Sequence, residues 1–115
     1  MAAGTYDFTI EQGVSIRQPL IWKDSAGDRV NLTGYSARMQ IRSSYDTAVL
    51  LELSTELGTI IITPASGTIT LVISNVTTAA IDWRKARYDL ELTAPNGTVT
   101  RLLEGYIYVS REITR

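Results

Sequence analysis

The side chains of this chain that could do chemistry are carboxylates. Asp89 and Glu91 lie two residues apart in an alternating stretch, so both point to the face opposite Tyr88, Leu90 and Leu92. Glu104 falls on the stretch that pairs with it. Two carboxylates flanking a sugar bond can hydrolyse it, one as acid and one as nucleophile or base. The simpler reading is a solvated strand face with Arg87 and Arg101 as salt partners, and a glycosidase on Glu91 and Glu104 stands as its rival. No other reactive constellation accompanies them. The chain has no histidine and no cysteine. That removes the commonest general base, the usual zinc and copper donors, thiolate nucleophiles and disulfides. No Gly-rich phosphate loop of standard spacing occurs. The run Lys23-Asp24-Ser25-Ala26-Gly27-Asp28 offers oxygens to a calcium ion but lacks the spacing and terminal glutamate of an EF-hand, so it reads as a turn. No metal, cofactor or catalytic residue is expected.

These residues are carried by one domain spanning 1–115, with a flexible arm over 1–5 and a polar tail over 111–115. A hydrophobic fraction of 44% and a charged fraction of 20% suit a folded chain. A net charge of −1 gives no basic excess for nucleic acid. No apolar run approaches the length of about 18 residues that spans a membrane. The opening MAAGTYDF has neither the charged nor the apolar region of a signal peptide. Sequons at Asn31, Asn75 and Asn96 sit where Asn and Thr favour turns, which explains them without glycosylation.

The elements are strands. Tyr6, Phe8 and Ile10 alternate with polar residues. An extended run from Val14 to Trp22 contains Pro19, which places it on an edge or at a bend. Tyr35, Ala37, Met39 and Ile41 alternate with Ser36, Arg38, Gln40 and Arg42. Further runs follow at 49–53, 60–62 and 69–73, then at 88–93 and 99–109, with turns every eight to twelve residues. Asn96-Gly97 predicts a hairpin with φ > 0 residues. A short helical link is expected over 76–83. The class is all-β: an immunoglobulin-like antiparallel β-sandwich of about seven to nine strands. Tyr88, opening a strand after the link, is placed to be a tyrosine corner that bonds back to the link backbone. On the last strand Val99, Arg101, Leu103, Ile107 and Val109 are expected to share the core face, with Gly105 marking a bulge or close backbone approach.

That register exposes Tyr106 and Tyr108 together, and exposed aromatics serve interfaces and sugar-binding platforms. Tyr6, Trp22 and Trp83, Tyr45 in the 43–47 loop, the Arg38 and Arg42 row, and Arg111 and Arg115 in the tail complete the candidate contact surfaces. All but two of the cations are arginine, the exceptions being Lys23 and Lys85, and arginine suits interfaces.

The stretches Tyr6-Asp7-Phe8-Thr9-Ile10-Glu11-Gln12-Gly13, Arg17 to Gly27, Asn31 to Arg42, Gly67 to Leu71, Arg87 to Leu92 and Gly97 to Gly105 resemble small structural proteins of tailed bacteriophages. They are similar to the N-terminal β-sandwich of phage baseplate upper proteins, where a strand ending in a D-x-x-G turn leads to a dLTG step. Here the step is Asn31-Leu32-Thr33-Gly34, with Asn in place of the acidic residue and Gly34 matching. The resemblance implies a non-enzymatic virion protein, made in the host cytoplasm. Its place would be the tail or tail tip, acting by assembly with other virion proteins and with copies of itself in a ring. It implies no nucleic-acid or membrane partner and supplies no catalytic residue. A capsid decoration or neck protein of the same fold, and a module binding host glycans through Tyr106, Tyr108 or Trp22, are the alternatives.

Overall fold

The structure is a computed structural model that describes residues 4–113. Its strands are β1 (Gly4–Thr5), β2 (Phe8–Glu11), β3 (Ile16–Ile21), β4 (Ser36–Arg42), β5 (Val49–Ser54), β6 (Ile60–Thr63), β7 (Thr68–Ile73), β8 (Lys85–Thr93) and β9 (Val99–Ser110). One sheet has the order β1-β9-β8-β4-β5, with β2 following β1 along the same side of β9. The other has the order β3-β7-β6. All pairings are antiparallel except those of β1 and β2, which run parallel to β9. This is the immunoglobulin-like arrangement: β3, β7 and β6 take the places of strands B, E and D. Strands β4, β8 and β9 take those of C, F and G, and β5 extends that sheet.

The alternation read from the sequence explains the core. Ala37, Met39 and Ile41 of β4 meet Leu90, Leu92 and Tyr88 of β8 on the inner face, and Ile60, Ile69, Leu71 and Ile73 close it from the other sheet. Leu32 is fully buried in the same core. Pro19 lies on β3, an edge strand, where a missing N–H breaks no ladder.

Several expectations are corrected. Gly4 and Thr5, placed in the flexible arm, form a strand against Leu103 and Glu104. The helical link is confined to α1 (Asn75–Ala79), capped by the Ser74 hydroxyl on the Thr77 N–H. Residues 80–83 leave the helix because Ile81 is drawn into the core and its carbonyl accepts the Gln12 amide at 3.0 Å. Asn96 has φ below zero and only Gly97 is left-handed, so the hairpin is closed by a turn from Ala94 to Gly97 whose last residue, Gly97, takes φ 90°. Val99 and Arg101 do not face the core. The β8–β9 register shifts between Leu90 and Glu91, leaving Leu102 unpaired, and this bulge turns Val99 (56% exposed) and Arg101 to the outside. Gly105 lies away from that bulge and marks a close approach of the Tyr6 backbone and the Asp7 carboxylate.

The tail is pinned at its start by Gln12, whose side chain accepts the Glu112 N–H at 3.0 Å while donating to Ile81. Gln12→Ala is expected to lower unfolding free energy by about 1–2 kcal/mol, since two backbone groups lose their partner. Urea titration checks it, and an unchanged midpoint would show that the staple holds nothing.

Candidate interaction face on the outer side of the large sheet

Every second residue of β4, β8 and β9 that avoids the core points outward, and the register arranges these side chains in rows across the strands. Tyr108 pairs with Lys85, and Tyr106 with Arg87, which pairs in turn with Arg42. The next row is Glu104, Asp89, Gln40 and Glu52, and beyond it lie Arg101, Glu91 and Arg38. The face is open, with a shallow depression of about 180 Å³ between Tyr45, Arg87 and Glu104.

At one end the side chains form a ladder of alternating rings and cations. Arg87 donates to the Tyr106 hydroxyl at 2.7 Å and to the Tyr45 hydroxyl at 2.9 Å. Its guanidinium carbon lies 4.7 Å from the Tyr45 ring centre and 4.6 Å from that of Tyr106. The Lys85 ammonium lies 4.5 Å from Tyr106 and 5.5 Å from Tyr108. The sequence of groups is Tyr45, Arg87, Tyr106, Lys85, Tyr108. Cation–π contacts of this kind contribute roughly 0.5–1 kcal/mol each when exposed. Tyr45, 72% exposed, projects from the 43–47 loop, and Arg42 holds that loop by donating to the Thr47 carbonyl.

The carboxylates behave differently from the ladder. Arg101 lies 3.6 Å from Asp89 and 3.7 Å from Glu104. Arg38 bonds Glu52 at 2.5 Å, and hydrogen bonds from Arg38 and Gln40 hold the Glu52 carboxyl below its usual range. Arg101 is thus the salt partner expected from the sequence. Arg87 is not, because its donors go to tyrosine hydroxyls. Asp24 accepts the Ala26 and Asp28 N–H groups on one oxygen, Oδ1, at 3.0 Å each, and so shapes the 23–28 turn.

The structure gathers Arg38, Arg42, Tyr45, Tyr106 and Tyr108 on this one face. It separates the other candidates. Tyr6 and Trp22 line an apolar cleft at a seam between the sheets with Leu20, Ile21, Leu102 and Leu103. Trp22 packs edge-on to Tyr35 with ring centres 6.1 Å apart. Trp83 is half-buried beside Gln12, and Arg111 is exposed near it. Arg115 lies outside the described residues. Gly34 (φ 79°) packs under Pro95, where a Cβ would come within 2.7 Å. Lys85 and Arg87 were missed as site residues. Continuing the Tyr88 alternation backward puts them on the Asp89 and Glu91 face, but their tyrosine partners follow only from the β8–β9 register.

Tyr88 is not a tyrosine corner. Its hydroxyl donates to the Tyr6 carbonyl, at the crossover from β1 to β2, and not to the link. Phe8 packs on its ring at 5.0 Å, and Tyr6 packs edge-on to Phe8 at 4.7 Å. Burial first, then the neighbouring Asp7 carboxylate and Tyr6, hold the Tyr88 hydroxyl well above the usual phenol range. Gly105 lies opposite Tyr88. Tyr6 and Asp7 fold down onto it, and the Asp7 carboxylate accepts the Tyr106 N–H at 2.9 Å.

No protein-family model matches the chain, and no curated protein matches it. Among solved structures, the chain is similar to Drosophila OTK extracellular domains 3–5, with 13% identity and a TM-score of 0.40. The match covers 90% of this chain and 32% of that one.

Proposed function

We propose that this chain is a non-enzymatic building block of a tailed-phage particle, sited at the tail or tail tip, that works by packing its exposed sheet face against other virion proteins. The ladder from Tyr45 to Tyr108 carries this reading. Tyrosine and arginine are the residues interfaces favour, and here each is already held by its neighbours. Side chains fixed before docking lose less entropy on docking. The phage-like order of turns and strands in the sequence supplies the setting. The carboxylates lie on an open face, with Asp89, Glu104 and Glu52 ion-paired, which favours contact over catalysis. A neck protein or a capsid decoration would use the same face.

A host-glycan module has less to stand on, because a sugar stacks on an open ring and two cations already lie over Tyr106. The test is mass spectrometry and antibody labelling of purified particles from cells producing the chain. The protein is expected in the particle at fixed stoichiometry. Its confinement to the unassembled fraction would overturn the reading.

A further inference from the structure

The outer face of the large sheet changes charge along its strands. Lys85, Arg87 and Arg42 occupy the two rows at the ladder end; Glu104, Asp89 and Glu52 occupy the next; Glu91 lies beyond them between Arg101 and Arg38. Among the described residues, the ion pairs of this face engage Arg38 and Arg101 and leave Lys85, Arg87 and Arg42 with none. One end of the face therefore carries uncompensated positive charge, and its middle carries carboxylates.

We propose that two copies of this chain pack these faces together, antiparallel, about a twofold axis that crosses the strands between the Arg87 row and the Asp89 row. That axis keeps β8 over β8 and β9 over β9 and reverses the order of the rows. Arg87 then faces Asp89 of the second copy, and Lys85 faces its Glu91. The Tyr106 hydroxyl meets its Glu104, and the Tyr108 ring meets its Arg101. Each contact is made twice, as in any isologous pair. An axis along the strands would instead lay each row on itself and set Arg87 against the cations of its own row.

Size sets the strength. Four strands at about 4.8 Å and eight residues at about 3.3 Å give roughly 500 Å² of face per copy. A standard interface buries about 800 Å² per partner. The isolated pair is therefore weak, with a Kd of about micromolar or above, and its place is in an array where many copies are held close. The inference rests on the reading of the chain as an assembly module and names a second copy as the partner.

Sedimentation of the whole chain from micromolar to millimolar concentration tests it. A monomer–dimer equilibrium that weakens with salt is expected. Lys85→Glu with Arg87→Glu in one chain, and Asp89→Lys with Glu91→Lys in another, should each weaken self-association at least tenfold. Their equimolar mixture should restore the dimer, because each reversed position meets its reversed counterpart. All four side chains lie on the outer face, and thermal melts confirm that both variants fold. Single reversals, Arg87→Glu and Asp89→Lys, replace a double variant that does not fold. A wild-type chain that stays monomeric at millimolar concentration, a dimer that survives either reversal, or a mixture that fails to associate overturns the pairing. Presence of the chain in purified particles is independent of these outcomes, so the pairing can fail while the assembly reading holds.

Discussion

Gly105→Ala is expected to cost roughly 2–4 kcal/mol of stability, although alanine suits a strand better than glycine does. A Cβ at position 105 would collide with the Tyr6 carbonyl and come within 2.8 Å of the Asp7 carboxylate. The first of these is backbone and cannot rotate away. Moving it strains three contacts together: the Tyr6 N–H on the Glu104 carbonyl, the Tyr88 hydroxyl on the Tyr6 carbonyl, and the Asp7 carboxylate on the Tyr106 N–H. At about 1 kcal/mol each, their loss outweighs the roughly 0.5–1 kcal/mol that replacing glycine returns. Urea denaturation gives the total. Hydrogen exchange should locate the damage as faster exchange at residues 8–11, with β4 and β8 still protected. Wild-type stability in Gly105→Ala would mean that the crossover tolerates displacement.

Tyr88→Ala should cost more, about 3–5 kcal/mol, the range for emptying a buried aromatic site. Its ring joins the Phe8 ring to the core and its hydroxyl anchors the crossover. Tyr88→Phe separates the two roles. It keeps the ring and removes the hydroxyl, at a cost of about 1–2 kcal/mol. The same hydroxyl gives a pH signature. Its folded-state pKa is raised, so the stability it contributes is fully present below the ordinary phenol pKa of about 10. As pH rises past that value the unfolded chain ionises at Tyr88 while the folded chain keeps its proton, and stability falls. Tyr88→Phe should lack that component of the alkaline decline. Equal alkaline slopes in the wild type and Tyr88→Phe would reject a buried, hydrogen-bonded phenol here.

Much of this architecture is legible in the residues. The alternation of Tyr35 to Arg42 and of Tyr88 to Thr93 fixes which side chains enter the core, because in a two-layer sandwich successive side chains of a strand point alternately to the core and to the outer face. Pro19 marks an edge for the same kind of reason. The last strand is read wrongly at its start because the bulge at Leu102 leaves no trace in hydrophobicity: Val99 and Arg101 keep the spacing of Leu103 but point the other way. The helix is read too long because Ile81 and Trp83 suit a helix locally and are claimed by the core and by Gln12 instead. The candidate contact residues are half legible. Tyr106 and Tyr108 stand out as an aromatic pair, whereas Lys85 and Arg87 look like ordinary strand cations until register sets them beside tyrosines. The role of Tyr88 depends on a carbonyl eighty-two positions away, which no local pattern carries.

The parallel seating of β1 and β2 on β9 also sets an order of events. Residues 4–11 find their partners at 103–110, so β1 and β2 have nowhere to sit until β9 is in place. Its closure entropy is that of almost the whole chain, and contacts of such separation slow folding. The remaining strands can pair before that seat is filled. For that interval the β1 side of β9 is an open edge, and the matching strand of a neighbouring copy fits it equally well. Strand exchange between chains is thus the characteristic misfolding risk of this sandwich, concentrated where Gly105 receives Tyr6 and Asp7.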